Sequence, residues 1–79
     1  MNKNNDLISI IVTVYKSYNY LNDLIKSVES QSYKNYELIF INDGSDRKVN
    51  NFLETYDFNE RNKVKIYNIK RFYRSKSLN

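Results

Sequence analysis

The chain has no cysteine, no histidine and no proline, and it has a single glycine. Without cysteine it can form neither a disulfide framework nor a thiolate metal site. Without histidine it lacks the commonest general base and the commonest metal ligand of proteins. Acid–base chemistry would therefore depend on Asp, Glu, Lys or Tyr side chains, or on groups from outside the chain.

The length and composition indicate one small globular domain. The chain has 79 residues, of which 41% are hydrophobic and 28% charged. A domain of this size buries only about 60% of the surface that its unfolded chain exposes. No apolar run approaches the roughly 20 residues that span a bilayer, and the polar N-terminus does not resemble a signal peptide. We expect a cytoplasmic protein, with a peripheral position at the inner face of a membrane as an alternative.

The basic residues are unevenly distributed along the chain. Residues 1–60 carry six Lys or Arg and nine Asp or Glu, whereas residues 61–79 carry seven basic residues and no acid. The net charge of +4 therefore comes from the C-terminal end. We divide the chain into a polar tail at 1–6, a folded part at 7–69 and a basic segment at 70–79.

Apolar patterns predict a strand, a helix and a second strand in the first half of the chain. Residues 7–14 form a nearly continuous apolar and β-branched run, which is typical of a central parallel strand covered on both faces. A helix of about three turns follows at roughly 18–30, with Ser17 as its predicted N-cap. Residues 36–41 predict a second buried strand. The helix is indicated by apolar residues at i, i+3, i+4 and i+7, namely Leu21, Leu24, Ile25 and Val28.

The same helical spacing recurs after residue 45, and a third strand follows it. Ser45 or Asp46 can cap this second helix. A polar loop at 57–62 leads to a strand at 63–69, in which apolar residues alternate with lysines, as in a strand near the edge of a sheet. The second helix is indicated by Val49, Phe52, Leu53 and Tyr56, and the alternation in the strand by Val64 and Ile66.

The predicted order is therefore β-α-β-α-β, an α/β fold. Strands joined by single helices of this length run parallel, with right-handed crossovers. The result is half of a doubly wound, Rossmann-like sheet. Ligands of such sheets bind outside the carboxyl ends of the strands, which here are the loops after Val14 and Ile41.

The loop Asn42-Asp43-Gly44-Ser45 has two interpretations. It can be a tight turn in which Gly44 adopts a positive φ and Asn42 and Asp43 bond to their own backbone. It can also be a ligand loop, with Asp43 projecting from the end of a central strand. An ionised carboxylate only accepts hydrogen bonds, so it would match the N3–H of uracil or the N1–H of guanine and reject cytosine.

The segment Thr13-Val14-Tyr15 ends the neighbouring strand. Tyr15 offers a flat amphipathic face to a base, and Thr13 offers a hydroxyl beside backbone groups. An ordinary packing role for Tyr15 stays open, because the chain has eight tyrosines. The two segments together predict a nucleotide-binding crevice, formed by Thr13, Val14, Tyr15, Asp43 and Gly44.

Two longer stretches resemble the N-terminal half of family 2 glycosyltransferases with the GT-A fold. They are Ser9-Ile-Ile-Val-Thr-Val-Tyr-Lys16 and Gln31-Ser-Tyr-Lys-Asn-Tyr-Glu-Leu-Ile-Phe-Ile-Asn-Asp-Gly-Ser45. The resemblance covers about residues 7–69. It departs from the usual family pattern at Thr13, where Pro is commonest, at Lys16, which replaces Asn, and at Arg47, which replaces an acid.

This resemblance implies a nucleotide-sugar donor, with a UDP-sugar favoured. Asp43 would read the base, Tyr15 would stack near it, and Thr13 would complete the site. Lys16 is a candidate contact to the donor diphosphate, as are Arg71 and Arg74 of the basic segment. The acceptor is left open as a saccharide, a lipid or a protein.

The family's D-x-D motif and catalytic base have no counterpart in these residues. The resemblance therefore implies a divalent cation, Mn²⁺ or Mg²⁺, in the complete enzyme, without a ligand or a catalytic residue from this chain. Alone, the chain should be catalytically silent. A cation held by Asp43 and Asp46 is a weaker alternative, because this position matches the base-reading loop.

Other roles remain open at this point. The basic segment at 70–79 can be a solvated extension, a diphosphate contact or a surface for nucleic acid or an anionic membrane. The chain can also be a small binding module without catalysis, although nucleic acid is not the partner that we expect. A three-stranded half-sheet leaves an edge and an apolar surface exposed, so self-association through that edge is a further expectation.

Overall fold

A computed structural model describes residues 6–16 and 18–70 of the chain. It contains three strands and two α-helices in the predicted β-α-β-α-β order, with a short 3₁₀ helix before the last strand. The elements are β1 (Ile8–Val14), α1 (Leu21–Ser30), β2 (Tyr36–Asp43), α2 (Arg47–Thr55), the 3₁₀ helix (Arg61–Lys63) and β3 (Val64–Ile69). The predicted fold class is confirmed.

The strands form one parallel sheet in the order β1-β2-β3. Val14 at the end of β1 lies opposite Asn42 of β2, and Asp43 lies opposite Ile69 of β3. The carboxyl ends of the three strands therefore finish together at one edge of the sheet. This register brings the loops after β1 and β2 next to each other.

The prediction that residues 7–14 form a central strand covered on both faces is wrong for the described part of the chain. The middle strand is β2, and β1 forms an edge of the sheet. Ile8 is 48% exposed and Ile11 60% exposed. Part of the apolar run is therefore in contact with solvent in the described part of the chain. The prediction that the third strand lies at a sheet edge is confirmed.

Both helices pack against the same face of the sheet. Leu21 and Ile25 of α1 and Val49 and Leu53 of α2 are fully buried in one cluster with Phe40 of β2. Right-handed crossovers between neighbouring strands place successive helices on one face in this way. Full burial of one such Leu or Phe side chain contributes about 1.5–3 kcal/mol. The remaining members of the cluster are Val14, Tyr36, Leu38 and Phe58.

No helix among the described residues covers the opposite face, which we call the open face. Alternation along the strands assigns to it the odd-numbered residues of each strand. Ile11, Tyr67 and Ile69 are the exposed large hydrophobic residues of this face, and Ile39 and Ile41 between them are half-buried. The open face thus carries an apolar stripe across all three strands.

The helix starts differ in how well they were predicted. Asp46 caps α2 as expected, because its Oδ1 accepts hydrogen bonds from the backbone N–H of Lys48 at 2.8 Å and Val49 at 3.2 Å. Helix α1 begins at Leu21, later than predicted, and its N-cap Tyr20 makes no side-chain cap bond. The predicted cap, Ser17, lies outside the described residues.

Arg61, one of the seven basic residues after residue 60, is bonded to the end of α2. Its Nη2 donates hydrogen bonds to three carbonyl oxygens at the end of α2, at distances between 2.9 and 3.1 Å. Those carbonyls lack partners within the helix, so the guanidinium caps its C-terminus. The acceptors are Leu53, Glu54 and Tyr56.

Lys63 and Lys65 are also tied to the domain. The Lys63 ammonium donates to the carbonyl of Lys34 and forms an ion pair with Glu60 at 2.9 Å. Lys65 pairs with Glu37 at 3.1 Å. Part of the basic excess after residue 60 is therefore structural. Within the described ranges, neither α-helix is long and apolar enough to cross a membrane.

Candidate functional site

The ends of β1 and β2 meet through Tyr15 and Gly44. A Cβ atom built on Gly44 would lie 3.8 Å from Cε1 and 3.9 Å from Cδ1 of the Tyr15 ring. These are ordinary van der Waals distances, so the aromatic ring lies against the backbone of the second loop. The structure therefore brings together the two segments from which the crevice was predicted.

Left-handed backbone occurs at both strand ends. Lys16 has φ 69° after β1, and Gly44 and Ser45 have φ 100° and 53° after β2. For Lys16 and Ser45, which carry a Cβ, such a conformation costs about 1–3 kcal/mol and persists only where the surrounding structure enforces it. Residues of this kind cluster at ligand sites. The positive φ predicted for Gly44 is present.

Asn42 anchors the loop after β2. Its side chain is fully buried. Its Nδ2 donates to the carbonyl of Asp46 and to Oδ1 of Asn68, both at 2.8 Å. Its Oδ1 accepts from the backbone N–H of Asp46 at 3.3 Å. The Asn42 amide therefore bonds to both backbone groups of Asp46 at the end of the loop, and it also joins the loop to β3.

Further bonds connect the loop to β3 and α2. The Gly44 N–H donates to the carbonyl of Ile69 at 2.7 Å. Asn68 is in turn bonded to α2, because its Nδ2 donates to Oδ1 of Asn50 at 3.0 Å. The loop after β2 is thus held by hydrogen bonds from β3, which is itself bonded to α2, as well as by its own residues.

The turn interpretation predicted that Asn42 bonds to the backbone of the loop, as it does at Asp46. It predicted neither the burial of Asn42 nor its bond to Asn68. The available signal was the alternation of β2, in which Tyr36, Leu38 and Phe40 all face the helices. Extending that alternation by one step places Asn42 in the core, where its amide needs partners. Nothing in the sequence indicates that one partner is Asn68.

The remaining predicted site residues occupy different surfaces. Thr13 is exposed at the end of β1, on the open face, and Asp43 is half-buried on the same face at the end of β2. The side chain of Val14 is fully buried in the core. Val14 therefore holds the end of β1 in place and does not present its side chain to the crevice.

Of the three predicted diphosphate contacts, Lys16 lies within the described residues. Lys16 Nζ lies 5.2 Å from the centre of the Tyr15 ring, so a positively charged ammonium group lies beside this ring. Arg71 and Arg74, the other two predicted diphosphate contacts, lie outside the described residues. The adjacent ends of β1 and β2 thus carry an aromatic ring, an ammonium group and a carboxylate, from Tyr15, Lys16 and Asp43.

The side chain of Asp46 has a structural role at this edge of the sheet. Its Oδ1 accepts the backbone N–H groups of Lys48 and Val49 as the N-cap of α2. Among residues 6–16 and 18–70, there is no group of three or more His, Cys, Asp or Glu that could hold a metal ion. Divalent cations such as Mg²⁺ bind through several oxygen ligands.

Comparison with known proteins gives a consistent result. The family model described as glycosyl transferase family 2 matches residues 9–79. An uncharacterized glycosyltransferase of Haemophilus influenzae is 49% identical over 55 residues, covering 65% of this chain and 22% of that protein. One of Rickettsia typhi is 44% identical over 50 residues, covering 63% of this chain and 16% of that protein.

A third relative is the glycosyltransferase GlyA of Streptococcus pneumoniae, which is 48% identical over 40 residues, or 51% of this chain and 6% of that protein. The chain thus matches less than a quarter of the length of each of these three relatives. No solved structure matches it significantly. Because the family model extends over nearly the whole sequence, the chain belongs to glycosyl transferase family 2.

Proposed function

We propose that the chain forms the nucleotide-binding part of a glycosyltransferase site, and that its ligand is a nucleotide-sugar donor, with a UDP-sugar favoured. The observation that carries this proposal is the contact between Tyr15 and the loop that bears Asp43, at the carboxyl ends of two parallel strands. Parallel α/β sheets bind their ligands at this edge.

Asp43 is proposed to recognise the base. A carboxylate accepts the N3–H of uracil in a charge-assisted hydrogen bond, whereas cytosine presents an acceptor at the same position. Guanine also presents a donor, at N1. This hydrogen-bonding pattern therefore separates UDP from CDP but does not separate UDP from GDP. The Tyr15 ring would stack on the base, and the exposed Thr13 hydroxyl would bind beside it.

The diphosphate is proposed to lie beyond Tyr15, near Lys16. Arg71 and Arg74 are proposed as further contacts to the diphosphate. In the complete enzyme, a divalent cation, Mn²⁺ or Mg²⁺, would stabilise the negative charge of the departing nucleoside diphosphate. Its ligands are expected outside this chain, because the family's D-x-D motif has no counterpart in this sequence.

In such an enzyme, an acceptor hydroxyl attacks the anomeric carbon of the sugar. The present residues would supply nucleotide binding but neither the metal ligands nor the base. We therefore expect no sugar transfer from the chain alone. Product formation by the purified 79 residues with a UDP-sugar and Mn²⁺ would contradict this part of the proposal.

Calorimetric titration with UDP, GDP and CDP tests base recognition directly. Because a hydrogen bond to a charged group contributes about 1.5–3 kcal/mol, UDP should bind about 10–100-fold more tightly than CDP. Asp43→Ala should abolish this preference. Asp57→Ala, the same substitution at an exposed carboxylate far along the chain from the crevice, is the matched control and should preserve it.

Salt dependence separates this site from binding through the basic segment. Nucleic-acid or polyanion binding by clustered lysines and arginines weakens steeply as salt rises. The UDP-over-CDP preference should persist from low to high salt, because it depends on a hydrogen-bonding pattern. Equal affinity for all three nucleotides, unchanged by Asp43→Ala, would refute base recognition.

A further inference from the structure

Asp43 lies between two residues that are each bonded to the end of β3. On one side, Nδ2 of the buried Asn42 donates to Oδ1 of Asn68 at 2.8 Å. On the other side, the Gly44 N–H donates to the carbonyl of Ile69 at 2.7 Å. Asn68 and Ile69 are consecutive residues at the carboxyl end of β3. The backbone at Asp43 is therefore held from both sides by one short stretch of β3.

These two bonds differ in what they require of the sequence. The bond to Gly44 uses a backbone carbonyl, which any residue at position 69 would supply. The bond to Asn42 requires the side chain of Asn68. Both hydrogens of the Asn42 Nδ2 are used, one for the Asp46 carbonyl and one for Asn68. Because Asn42 is buried, loss of the Asn68 oxygen would leave a donor without an acceptor.

Helix α2 orients the Asn68 amide. Its Nδ2 donates to Oδ1 of Asn50 at 3.0 Å, so its own Oδ1 is turned towards Asn42. The Asn50 N–H donates to the Asp46 carbonyl at 3.0 Å, and the same carbonyl accepts from Asn42. The bonds thus form a closed ring through β2, β3 and α2. A network in which every member has its partners is rigid.

We propose that Asn68 is a positioning residue of the nucleotide site, an inference that rests on the function proposed above. Asn68 lies on the helix-covered face, where it bonds to Asn50, whereas Asp43 lies on the open face. Asn68 therefore acts through the backbone of the loop and does not itself contact the base. It holds the Asp43 carboxylate where this group meets the N3–H of uracil.

The expected effect of Asn68 is on selectivity. A hydrogen bond weakens steeply when its angle departs from linearity, and a recognition group must be held within about 0.5 Å of its productive position. Cytosine has no N3–H to donate, so its binding does not depend on this alignment. Release of the loop should therefore weaken the binding of UDP more than that of CDP.

Calorimetric titration of Asn68→Ala with UDP and CDP tests this inference. Asn68 is exposed, so the variant disturbs the core less than a change at the buried Asn42, and circular dichroism would verify its fold. The UDP-over-CDP preference should fall at least about fivefold, with a change of less than about twofold in the affinity for CDP. A preference equal to that of the unmodified chain would refute the inference.

Arg61→Ala separates positioning from a general loss of stability. Arg61 caps the C-terminus of α2, at the edge of the sheet opposite the crevice, so this variant should also lower the urea midpoint. It should leave the UDP-over-CDP preference unchanged. Equal reductions of the preference in Arg61→Ala and Asn68→Ala would make stability the cause and would overturn the positioning role.

Asn68→Asp is the conservative variant. It keeps an oxygen acceptor for Asn42 and loses the donor to Asn50. Rotation of the Asn50 amide presents its Nδ2 to the new carboxylate, which closes the ring again with this one bond reversed. The added negative charge should weaken UDP and CDP alike, so the preference should recover to within about twofold of the unmodified chain. An aspartate variant as unselective as Asn68→Ala would contradict the inference.

Hydrogen exchange tests the hold on the loop without a nucleotide. In Asn68→Ala, exchange of the Gly44 amide should accelerate by a larger factor than exchange of the Phe40 amide in the middle of β2. Equal factors for the two amides would indicate a general loss of stability and would count against a specific hold by Asn68.

Failure of this inference and failure of the proposed function give different results. An unmodified chain without a UDP-over-CDP preference, or with one that survives Asp43→Ala, would refute the proposed function and this inference with it. A preference that is lost in Asp43→Ala but retained in Asn68→Ala would refute the inference alone.

Discussion

Nδ2 of Asn42 lies 2.8 Å from Oδ1 of Asn68, and this bond joins two residues that are 26 positions apart in the chain. It connects the end of the middle strand to β3 beneath the loop that carries Asp43. The position of that loop therefore depends on a residue outside the segment that resembles the family most closely.

We predict that Asn42→Ala lowers the free energy of unfolding by about 1–3 kcal/mol. The substitution leaves buried partner groups unsatisfied, and their desolvation is the source of the cost. Urea denaturation would measure it. Asn62→Ala, which removes the same amide from an exposed position, should cost less than about 0.5 kcal/mol. Equal losses in the two variants would contradict the anchoring role of Asn42.

The coupling between Asn42 and Asn68 can be measured separately. In a double-mutant cycle with alanine at both positions, residues that share a hydrogen bond show an interaction energy of about 0.5–3 kcal/mol. We expect a value in this range, with a smaller individual loss for Asn68→Ala because Asn68 is exposed. Strict additivity would show that the 2.8 Å contact contributes nothing to stability.

A second prediction concerns the start of α2. Asp46→Ala removes the acceptor of the Lys48 and Val49 N–H groups and should cost about 1 kcal/mol, within the range of 0.5–2 kcal/mol measured for such caps. Asp46→Asn keeps an oxygen acceptor and should recover most of that loss. Thermal unfolding of both variants would decide the matter, and an Asn variant as unstable as the Ala variant would argue against capping.

A third prediction concerns the glycine at the crevice. Gly44→Ala should lower stability by about 1–3 kcal/mol, because φ is 100° and side chains rarely tolerate such a backbone. Steric crowding is not the cause, since the new Cβ would meet Tyr15 at 3.8 Å. Ser45→Gly is the opposite change at φ 53° and should not destabilise the protein. A neutral Gly44→Ala variant would show that the loop relaxes without cost.

A fourth prediction concerns pH. The Ser9 hydroxyl, which donates to the Glu37 carboxylate at 2.5 Å, and the Lys65 ammonium at 3.1 Å together lower the pKa of Glu37 from its ordinary value of 4.5. The folded state therefore holds the ionised carboxylate more strongly than the unfolded state. This stabilisation is complete above the unfolded pKa and is lost as pH falls through the lowered folded pKa.

Urea midpoints measured from pH 7 down through the carboxylate range should fall less steeply in Glu37→Gln than in the unmodified chain. The partner behaves in the opposite sense, because the Glu37 hydrogen bond raises the pKa of Lys65. Its contribution is present below the ordinary lysine pKa of 10.5 and is lost as pH rises through the raised value. Identical acid profiles for the two proteins would exclude a role for Glu37.

The order and type of the elements could be predicted because they depend on local periodicity. The helical spacing of Val49 and Leu53, the cap at Asp46 and the alternation of β3 all appear as predicted. The position of β1 could not be predicted in the same way. A continuous apolar strand is consistent with burial on both faces, and only the strand order shows that β1 lies at an edge of the sheet formed by the described residues.

The candidate site was predictable to a similar extent. The meeting of Tyr15 and Gly44 follows from parallel strands that end at one edge of the sheet. The left-handed conformation of Lys16 and Ser45 did not follow, because neither residue type favours it and the surrounding contacts impose it. The burial of Phe58 against Phe40 was not predicted either, because Phe58 lies within the otherwise polar loop at 57–62.

The strand order has a consequence for how the sheet forms during synthesis. Each strand pairs with the strand that follows it in the chain, so the sheet can grow from β1 to β3 in the order in which the ribosome delivers the residues. The outer side of β1 is made before β2 and β3, and neither of these two strands covers it. The pair β1–β2 can therefore form as soon as Asp43 has left the ribosome, before β3 has been made.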